Sequence, residues 1–327
     1  MKLVSIILLN WNGKAFLEQC IASVLSQTYS PIELFVIDNA STDGSADWIK
    51  KKFASLTLIE NEQNIGFAGA INQGIRIATG AYIIPLNFDV ILTDNFVEEM
   101  VKAAEDNENV GSVSGKLLRF EKQEELPYID STGHVVFRNR LAVNRGESEI
   151  DRGQYDAEEE VFGTCGAAPL YRREMLEDVK VYGEYYDESF FAFWEDIDLD
   201  WRARLRGWKT WYNPRAVAHH QRGGPSVRRS KVVEFYNYRN RYLVILKNDQ
   251  FVSLLRAFPQ ILFTETLKGA ALLFRCPSAL ASWVNLTKLI PGTLAKRRVI
   301  QKRRVVSQRE LEKWLARFNY GKWIRRH

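Results

Sequence analysis

Apolar and polar positions follow two periods along the first ninety residues. Val4 to Leu9 is an unbroken aliphatic run, the pattern of a parallel strand buried on both faces. Leu17, Ile21, Val24 and Leu25 then recur at three- and four-residue spacing, which predicts a helix. Ile32 to Ile37 reads as a second strand ending at Asp38. Ser41-Thr42-Asp43-Gly44 supplies turn and helix-cap residues, and Ala46, Ile49 and Phe53 mark the helix that follows. Leu56 to Ile59 is a third strand. Asn64 to Gly74 opens a helix with Ile71, Ile75 and Ala78 inward, and Tyr82 to Leu86 is a fourth strand. This alternation predicts an α/β fold, a mostly parallel sheet with helices on both faces. Ligands of such sheets bind beyond the carboxyl ends of the strands. Asn10, Asp38 and Asp89 all lie at such ends.

From about residue 111 the rhythm loosens. Glu121 to Glu125 and Glu147 to Glu160 read as exposed loops, and Phe162 to Leu170 as a tight, nearly uncharged segment. Leu199 to Arg206 reads as a helix with Gly207 as its stop. Trp211 to His220 reads as a strand. After about residue 245 apolar blocks alternate with Lys and Arg in a helical, amphipathic pattern. The expected division is therefore 1–245 for the α/β domain and 246–327 for a basic, mainly helical C-terminal region.

Charge sharpens that division. The formal net charge is only +5, yet residues 201–327 carry 28 Lys and Arg against 5 Asp and Glu, while residues 1–200 carry 17 against 35. An acidic half beside a basic half points to an anionic partner for the latter. Its apolar stretches are broken by Arg256, Lys268, Arg275 and Lys288, so each is shorter than the ~18 residues of a membrane span. Trp283, Trp314 and Trp323, interspersed with the basic Lys296-Arg297-Arg298 and Lys302-Arg303-Arg304, favour an amphipathic surface lying on anionic lipid. Nucleic acid is not the expected partner, since no aromatic ribonucleoprotein motif or zinc spacing occurs. Cys20, Cys165 and Cys276 are sparse and far apart, which suits a reducing compartment. The short apolar start, with only Lys2 before it, reads as a strand rather than a leader.

Two acidic groups suggest the chemistry. Asn87-Phe88-Asp89 ends the fourth strand, where a carboxylate can hold Mg²⁺ or Mn²⁺ against a diphosphate. Trp194-Glu195-Asp196-Ile197-Asp198 follows an aromatic run whose walls suit a general base. Asp196 is read as that base and Glu195 as an acceptor-binding or orienting group. Asp198 and Asp200 are read as early helix residues favoured by the dipole. Asp38 would accept from a nucleoside or form an Asx turn with Asn39 and Ser41, and the two roles are compatible. Asn64 to Gly69 places small residues at a helix start, where backbone N–H groups can meet a ligand. His220 could complete a metal site or be a hydrogen-bonded structural residue. Together these groups suggest transfer of a sugar from a nucleotide diphosphate.

These segments, in order, resemble a family 2 glycosyltransferase with the GT-A nucleotide-diphospho-sugar transferase fold, close to a bacterial rhamnosyltransferase-like branch. The resemblance runs over about residues 1 to 245: Val4 to Asn12, Cys20 to Gln27, Val36 to Gly44, Asn64 to Asn72, Leu86 to Val90, Gly163 to Ala167, Phe190 to Gly207 and Pro214 to His220. It implies an inverting, metal-dependent transfer. By that resemblance Asn10, Trp11, Asp38, Asn64, Gly66, Asn87 and Asp89 bind the nucleotide sugar. Asp89 and His220 bind the metal, and Asp196 with Glu195 carries catalysis. Other members often carry a further acid where this chain has Asn87-Phe88. Tyr236 to Asn248, with Arg239, Asn240 and Arg241, resembles the branch's entry to a membrane-associated region. The implied donor is a dTDP-, UDP- or GDP-sugar, dTDP-rhamnose first. The implied acceptor is a saccharide or a polyprenyl-diphosphate-linked saccharide, in cell-surface polysaccharide synthesis. The implied place is cytoplasmic, peripheral at the inner face of the cell membrane. The competing expectation is a catalytically silent membrane-binding scaffold that keeps the fold.

Overall fold

The apolar run at Val4 is an interior strand of a mixed sheet, β1 (Val4–Asn10). In this computed structural model, which describes residues 1–119, 126–222, 231–275 and 282–319, the chain continues through α1 (Lys14–Leu25), β2 (Ile32–Asp38), α2 (Ser45–Lys52), β3 (Thr57–Glu60), α3 (Gly66–Ile77), β4 (Tyr82–Asn87), β5 (Val90–Leu92), α4 (Phe96–Glu105) and β6 (Val110–Arg119). Then come β7 (Ile129–Ser131), β8 (His134–Phe137), β9 (Ala142–Asn144), β10 (Glu159–Val161), β11 (Leu170–Arg172), α5 (Arg173–Val179), α6 (Glu195–Leu205) and β12 (Lys209–His220). The C-terminal part is α7 (Lys231–Asn248), α8 (Phe251–Arg275), α9 (Ser282–Arg303), α10 (Gln308–Glu312) and β13 (Leu315–Ala316).

Strands order as β10-β12-β6-β11-β4-β1-β2-β3, with β5 on β12 and β7 on β6. β3, β2, β1 and β4 are mutually parallel. β11 enters antiparallel between β4 and β6, and β12 runs parallel to β6. Side chains alternate across β1, and this explains its unbroken apolar sequence. Val4, Ile6 and Leu8 pack with residues of α1 and α4 on one face. Ile7 and Leu9 pack with α3, α5 and α6 on the other. A small second sheet, β13-β8-β9, lies off the main one.

The expected strands and helices of the first ninety residues stand where their periods place them. Helix α6 begins at Glu195, earlier than the apolar pattern alone indicates, so Asp196 sits in its first turn. Asp198 falls in that same first turn, as expected, with Asp200 in the next, and both are buried. Among residues 147–160 the described backbone is irregular until β10, and the expected loop at Glu121 to Glu125 lies outside the described residues.

Helix α7 spans residue 245, and buried polar contacts tie it to the α/β domain. Lys247, on α7, pairs with Asp187 and, at 2.8 Å, with Asp198. Asn248 Nδ2 donates to Asp198 at 2.7 Å. Lys296, on α9, reaches Asp187 at 2.6 Å and Glu184 at 2.7 Å. Burial alone would raise the Asp187 carboxyl, but the Lys247 and Lys296 ammonium groups hold it well below the usual carboxylate range. Around these ions Phe162, Phe190, Ile197, Trp201 and Leu205 pack with Leu243, Val244, Leu286 and Ile300. Among the described residues no helix is long and apolar enough to cross a membrane.

Candidate active site

The carboxyl ends of β1 and β2 are locked together. Asn10 and Asp38 are adjacent in register, and Asn10 Nδ2 donates to Asp38 Oδ2 at 2.6 Å and to Ser45 Oγ at 2.8 Å. The Ser41 N–H donates to Asp38 Oδ1 at 2.8 Å, three residues on rather than the two of an Asx turn. Asn10 and Asp38 are buried, whereas Trp11 beside them is half exposed. Next to this pair, Asn39 joins the loop after β2 to the start of α3. Its Nδ2 donates to Asn64 Oδ1 at 2.9 Å, and its Oδ1 accepts the Ile65 N–H at 3.1 Å. In the sequence Asn39 reads only as a turn residue beside Asp38.

The start of α3 differs from expectation. Three of its first N–H groups are already engaged: Ile65 by Asn39, Gly66 by Asn64 Oδ1 at 2.9 Å, and Ala68 by the Phe191 carbonyl at 3.2 Å. The reason Gly66 is glycine is steric. It adopts φ +79°, and a Cβ there would stand 2.5 Å from the Phe191 carbonyl oxygen. Asn64 and Gly66 therefore brace the loop after β2 and the start of α3 against the aromatic segment before α6.

Asp89 lies in the turn between β4 and β5, with 6% of its surface exposed. Phe88 before it packs onto Gly13 and Phe16, which gives the apolar residue of Asn87-Phe88-Asp89 a packing role. Antiparallel pairing of β5 with β12 places His220 opposite Val90. His220 Nε2 then faces Asp89 Oδ1 at 3.4 Å, and His220 Nδ1 is 2.8 Å from Asp130 Oδ2. Arg222 also binds Asp130. Burial lowers the proton affinity of His220, but the carboxylates of Asp130 and Asp89 outweigh it and raise the imidazole to about 9.

This pair fits a divalent ion. At 3.4 Å the Nε2 and Oδ1 atoms are farther apart than an ordinary N–H···O bond. The spacing is close to that of two ligands on one ion, each at about 2.0–2.2 Å. A carboxylate behind the imidazole, here Asp130, is the usual way a ligating histidine is oriented. Among the described residues no group of three His, Cys, Asp or Glu side chains has metal-ligand spacing.

Asp196 occupies the first turn of α6, where the helix dipole favours an anion. Its Oδ2 accepts the Gly166 N–H at 3.0 Å and its Oδ1 accepts the Ile197 N–H at 2.8 Å. The segment that supplies Gly166 also holds the end of β4, through Asn87 N–H to the Ala167 carbonyl at 3.0 Å. One short stretch of backbone thus spans from the Asp89 turn to Asp196. Glu195 turns inward, buried, and Oε2 has no hydrogen-bond partner among the described residues. Burial, then the neighbouring Asp196 charge, pushes its carboxyl well above the usual range.

The loop before α6 is strained. Phe191, Phe193 and Trp194 all have positive φ, between 66° and 72°. Helix α7 holds it. Asn240 Nδ2 lies 2.7–2.9 Å from the carbonyls of Phe190, Ala192 and Phe193, and Arg239 donates to those of Ser189 and Phe190. Tyr236 stacks on Phe191, and Trp194 Nε1 donates to Asn237 at 3.1 Å. Arg239 and Asn240 thus fasten the loop that presents Asp196.

Two functional candidates were missed in the sequence, Asp130 and His134. Both come from the run Ile129 to Val135, where Asp130, Ser131, Thr132 and His134 are all buried. His134 Nδ1 lies 2.8 Å from Asp200 Oδ2, and its Nε2 lies 3.6 Å from Asp196 Oδ2. Buried polar residues clustered around Gly133 were the available signal.

With the geometry in hand, comparison with known proteins is informative. The model of glycosyl transferase family 2 matches residues 5–180. A poly-β-1,6-N-acetyl-D-glucosamine synthase of Staphylococcus epidermidis is 26% identical over 216 residues, 65% of this chain and 48% of the relative. An uncharacterized glycosyltransferase of Haemophilus influenzae is 29% identical over 148 residues, 43% of this chain and 45% of the relative. The chain thus spans about half the length of the curated relatives it matches. The crystal structure of GalNAc-T7 with UDP, GalNAc and Mn²⁺ superposes with a TM-score of 0.58 at 16% identity, covering 76% of this chain and 49% of that one. At that identity the likeness speaks for the fold, which is GT-A-like. Asp196 and His220 lie beyond the matched 5–180 range.

Proposed function

The chain belongs to glycosyl transferase family 2, and from that premise we propose that it is an inverting glycosyltransferase acting by single displacement. The observation that carries the reading is the backbone stretch 163–167. It braces the Asp89 turn on one side and the Asp196 carboxylate on the other. Asp196 takes the proton of the acceptor hydroxyl. The hydroxyl oxygen bonds to the anomeric carbon as the bond to the diphosphate breaks. Asp89 and His220 would hold Mg²⁺ or Mn²⁺, which supplies positive charge against the departing diphosphate. Asn10, Trp11, Asp38, Asn64, Gly66 and Asn87 frame the donor side, and Glu195 orients the base from the interior.

The donor we favour is dTDP-rhamnose, from the branch resemblance; a UDP- or GDP-sugar is the alternative. The UDP and Mn²⁺ of the GalNAc-T7 structure support the UDP case, and the synthase relative supports polysaccharide synthesis as the setting. Stereochemistry tests the mechanism. Incubated with dTDP-rhamnose, UDP-N-acetylglucosamine or GDP-mannose and a polyprenyl-diphosphate-linked saccharide, the enzyme is expected to give a product of inverted anomeric configuration by proton NMR. A retained configuration would rule out single displacement.

We place the enzyme at an anionic membrane surface, on the inner face, with residues 246–327 as the membrane-associating region. The support is that α8 has its sides reversed. Ser253, Ala257 and Thr264 face inward, while Phe251, Leu255, Phe258 and Leu262 are each more than half exposed. Inward hydrogen bonds, such as Arg140 Nη2 to Ser253 Oγ at 2.7 Å and Asn139 Nδ2 to Thr264 Oγ1 at 3.0 Å, account for the inner face. Arg297 and Arg298 border a shallow recess with Phe251 and Val252, so cations flank the apolar stripe as anionic lipid requires. Burial of one large apolar side chain is worth about 1.5–3 kcal/mol. Leu255→Asp with Phe258→Asp should therefore weaken binding to phosphatidylglycerol-containing vesicles by at least about tenfold in a flotation assay. Undiminished binding would dismiss α8 as the contact.

A further inference from the structure

We propose that His134 is a positioning residue that keeps Asp196 ionised, standing as an imidazolium between the carboxylates of Asp196 and Asp200. The inference rests on the reading of Asp196 as the base. Its foundation is geometric. Helix α6 places Asp196 and Asp200 four residues apart, one turn, on the same side. His134, at the start of β8, enters between them, with Nδ1 2.8 Å from Asp200 and Nε2 3.6 Å from Asp196. Asp200 is 1% exposed and His134 4%, so water screens neither charge. The backbone around them is shaped to this arrangement. Gly163 accepts the His134 N–H at its carbonyl, at 2.8 Å, and a Cβ on Gly163 would stand 1.8 Å from Asp200 Oδ2. The Thr164 N–H donates to that same oxygen at 3.1 Å.

The need for a cation follows from the neighbours. Glu195, Asp196, Asp198 and Asp200 crowd one end of α6. Glu195 is held neutral by burial and the Asp196 charge, and Asp198 is compensated by Arg202 at 2.9 Å and Lys247 at 2.8 Å. Asp196 and Asp200 have His134 between them. The other groups facing the cluster are Tyr171, Tyr186 and Cys165, all pushed up by burial and therefore neutral. Arg204, which feels Asp200, is engaged by Glu160 and by backbone carbonyls. Burial works against charge on His134, but Asp196 and Asp200 outweigh it and raise the imidazole above its ordinary value. Burial in turn raises Asp200 to about 6. A general base must be ionised at working pH, and an opposite charge within about 4–6 Å lowers a carboxyl by about 1–3 pH units.

Two measurements test this. The chain has four histidines, so imidazole ¹⁵N NMR of the free enzyme can follow each one, with His134→Gln assigning its signal. The His134 midpoint is expected above 6.5 in wild type and lower in Asp200→Asn and in Asp196→Asn. A midpoint unmoved by both would overturn the proposal. The second is the pH profile of nucleoside diphosphate release from dTDP-rhamnose, UDP-N-acetylglucosamine or GDP-mannose. Its acid limb should move up by about 1–3 pH units in His134→Gln, with turnover recovering toward wild type at high pH. A merely structural role would lower the plateau at every pH and leave the limb in place. If Asp196→Asn turns over normally, the base assignment itself fails. If Asp196→Asn is inactive but His134→Gln does not move the limb, only the role of His134 fails.

Discussion

Asp196→Asn is expected to lower turnover by roughly 10²–10⁴-fold, the usual contribution of a positioned general base, with nucleotide affinity unchanged. The asparagine keeps the size of the side chain, and its one carbonyl oxygen can still accept from Gly166 or Ile197, the two N–H groups that hold the aspartate. What it cannot do is take a proton. The loss should therefore fall on kcat rather than on donor KM, since proton transfer is realised only in the transition state. The strained loop and its fastening by Asn240 are untouched by the change. An Asp196→Asn enzyme with wild-type kcat, measured by release of nucleoside diphosphate, would remove this residue from the role.

The second large effect is expected at the metal pair. Asp89→Ala removes one of two proposed ligands and leaves His220 facing an apolar methyl group, so divalent-ion-dependent nucleotide binding should disappear. Asp130→Asn should act more mildly. It changes the group behind His220 Nδ1, 2.8 Å away, without touching the ligands. Changes of that kind typically cost about 10–100-fold in metal affinity. A titration with Mn²⁺ that ranks Asp130→Asn as severe as Asp89→Ala would place Asp130 in direct contact with the ion. Equal affinity in all three proteins would remove the pair as a metal site.

The sheet was readable where its physics is local. Val4 to Leu9 is apolar throughout because α1 and α4 cover one side of β1 and α3, α5 and α6 the other. Asp38 and Asp89 could be located because they end such runs. The readable part stops where strands shorten. β7 and β8 are three and four residues long, too short for alternation to register, yet they carry Asp130 and His134 into the site. Their partners, His220 and Asp200, are 90 and 66 residues away, and no periodicity reports a contact at that range. β11 was hidden for another reason: it runs antiparallel between two other strands, a position set by topology alone. The start of α3 shows the converse limit. Its small residues suggest open N–H groups, but Asn39, Asn64 and the Phe191 carbonyl take three of them. The reversed sides of α8 lay hidden too, because an amphipathic pattern does not say which face turns inward.

The central claim is that Asp89 and Asp196 serve one nucleotide-sugar site, and its donor half is tested most directly by calorimetric binding of UDP, dTDP and GDP. Each is titrated with and without Mn²⁺ into wild type and Asp89→Ala. The expected result is that one nucleotide binds wild type, tighter with Mn²⁺, and that the Mn²⁺ enhancement is lost in Asp89→Ala. No binding of any nucleotide to the wild-type protein, with or without the ion, would contradict the claim and leave a family 2 fold that does not use a nucleotide sugar.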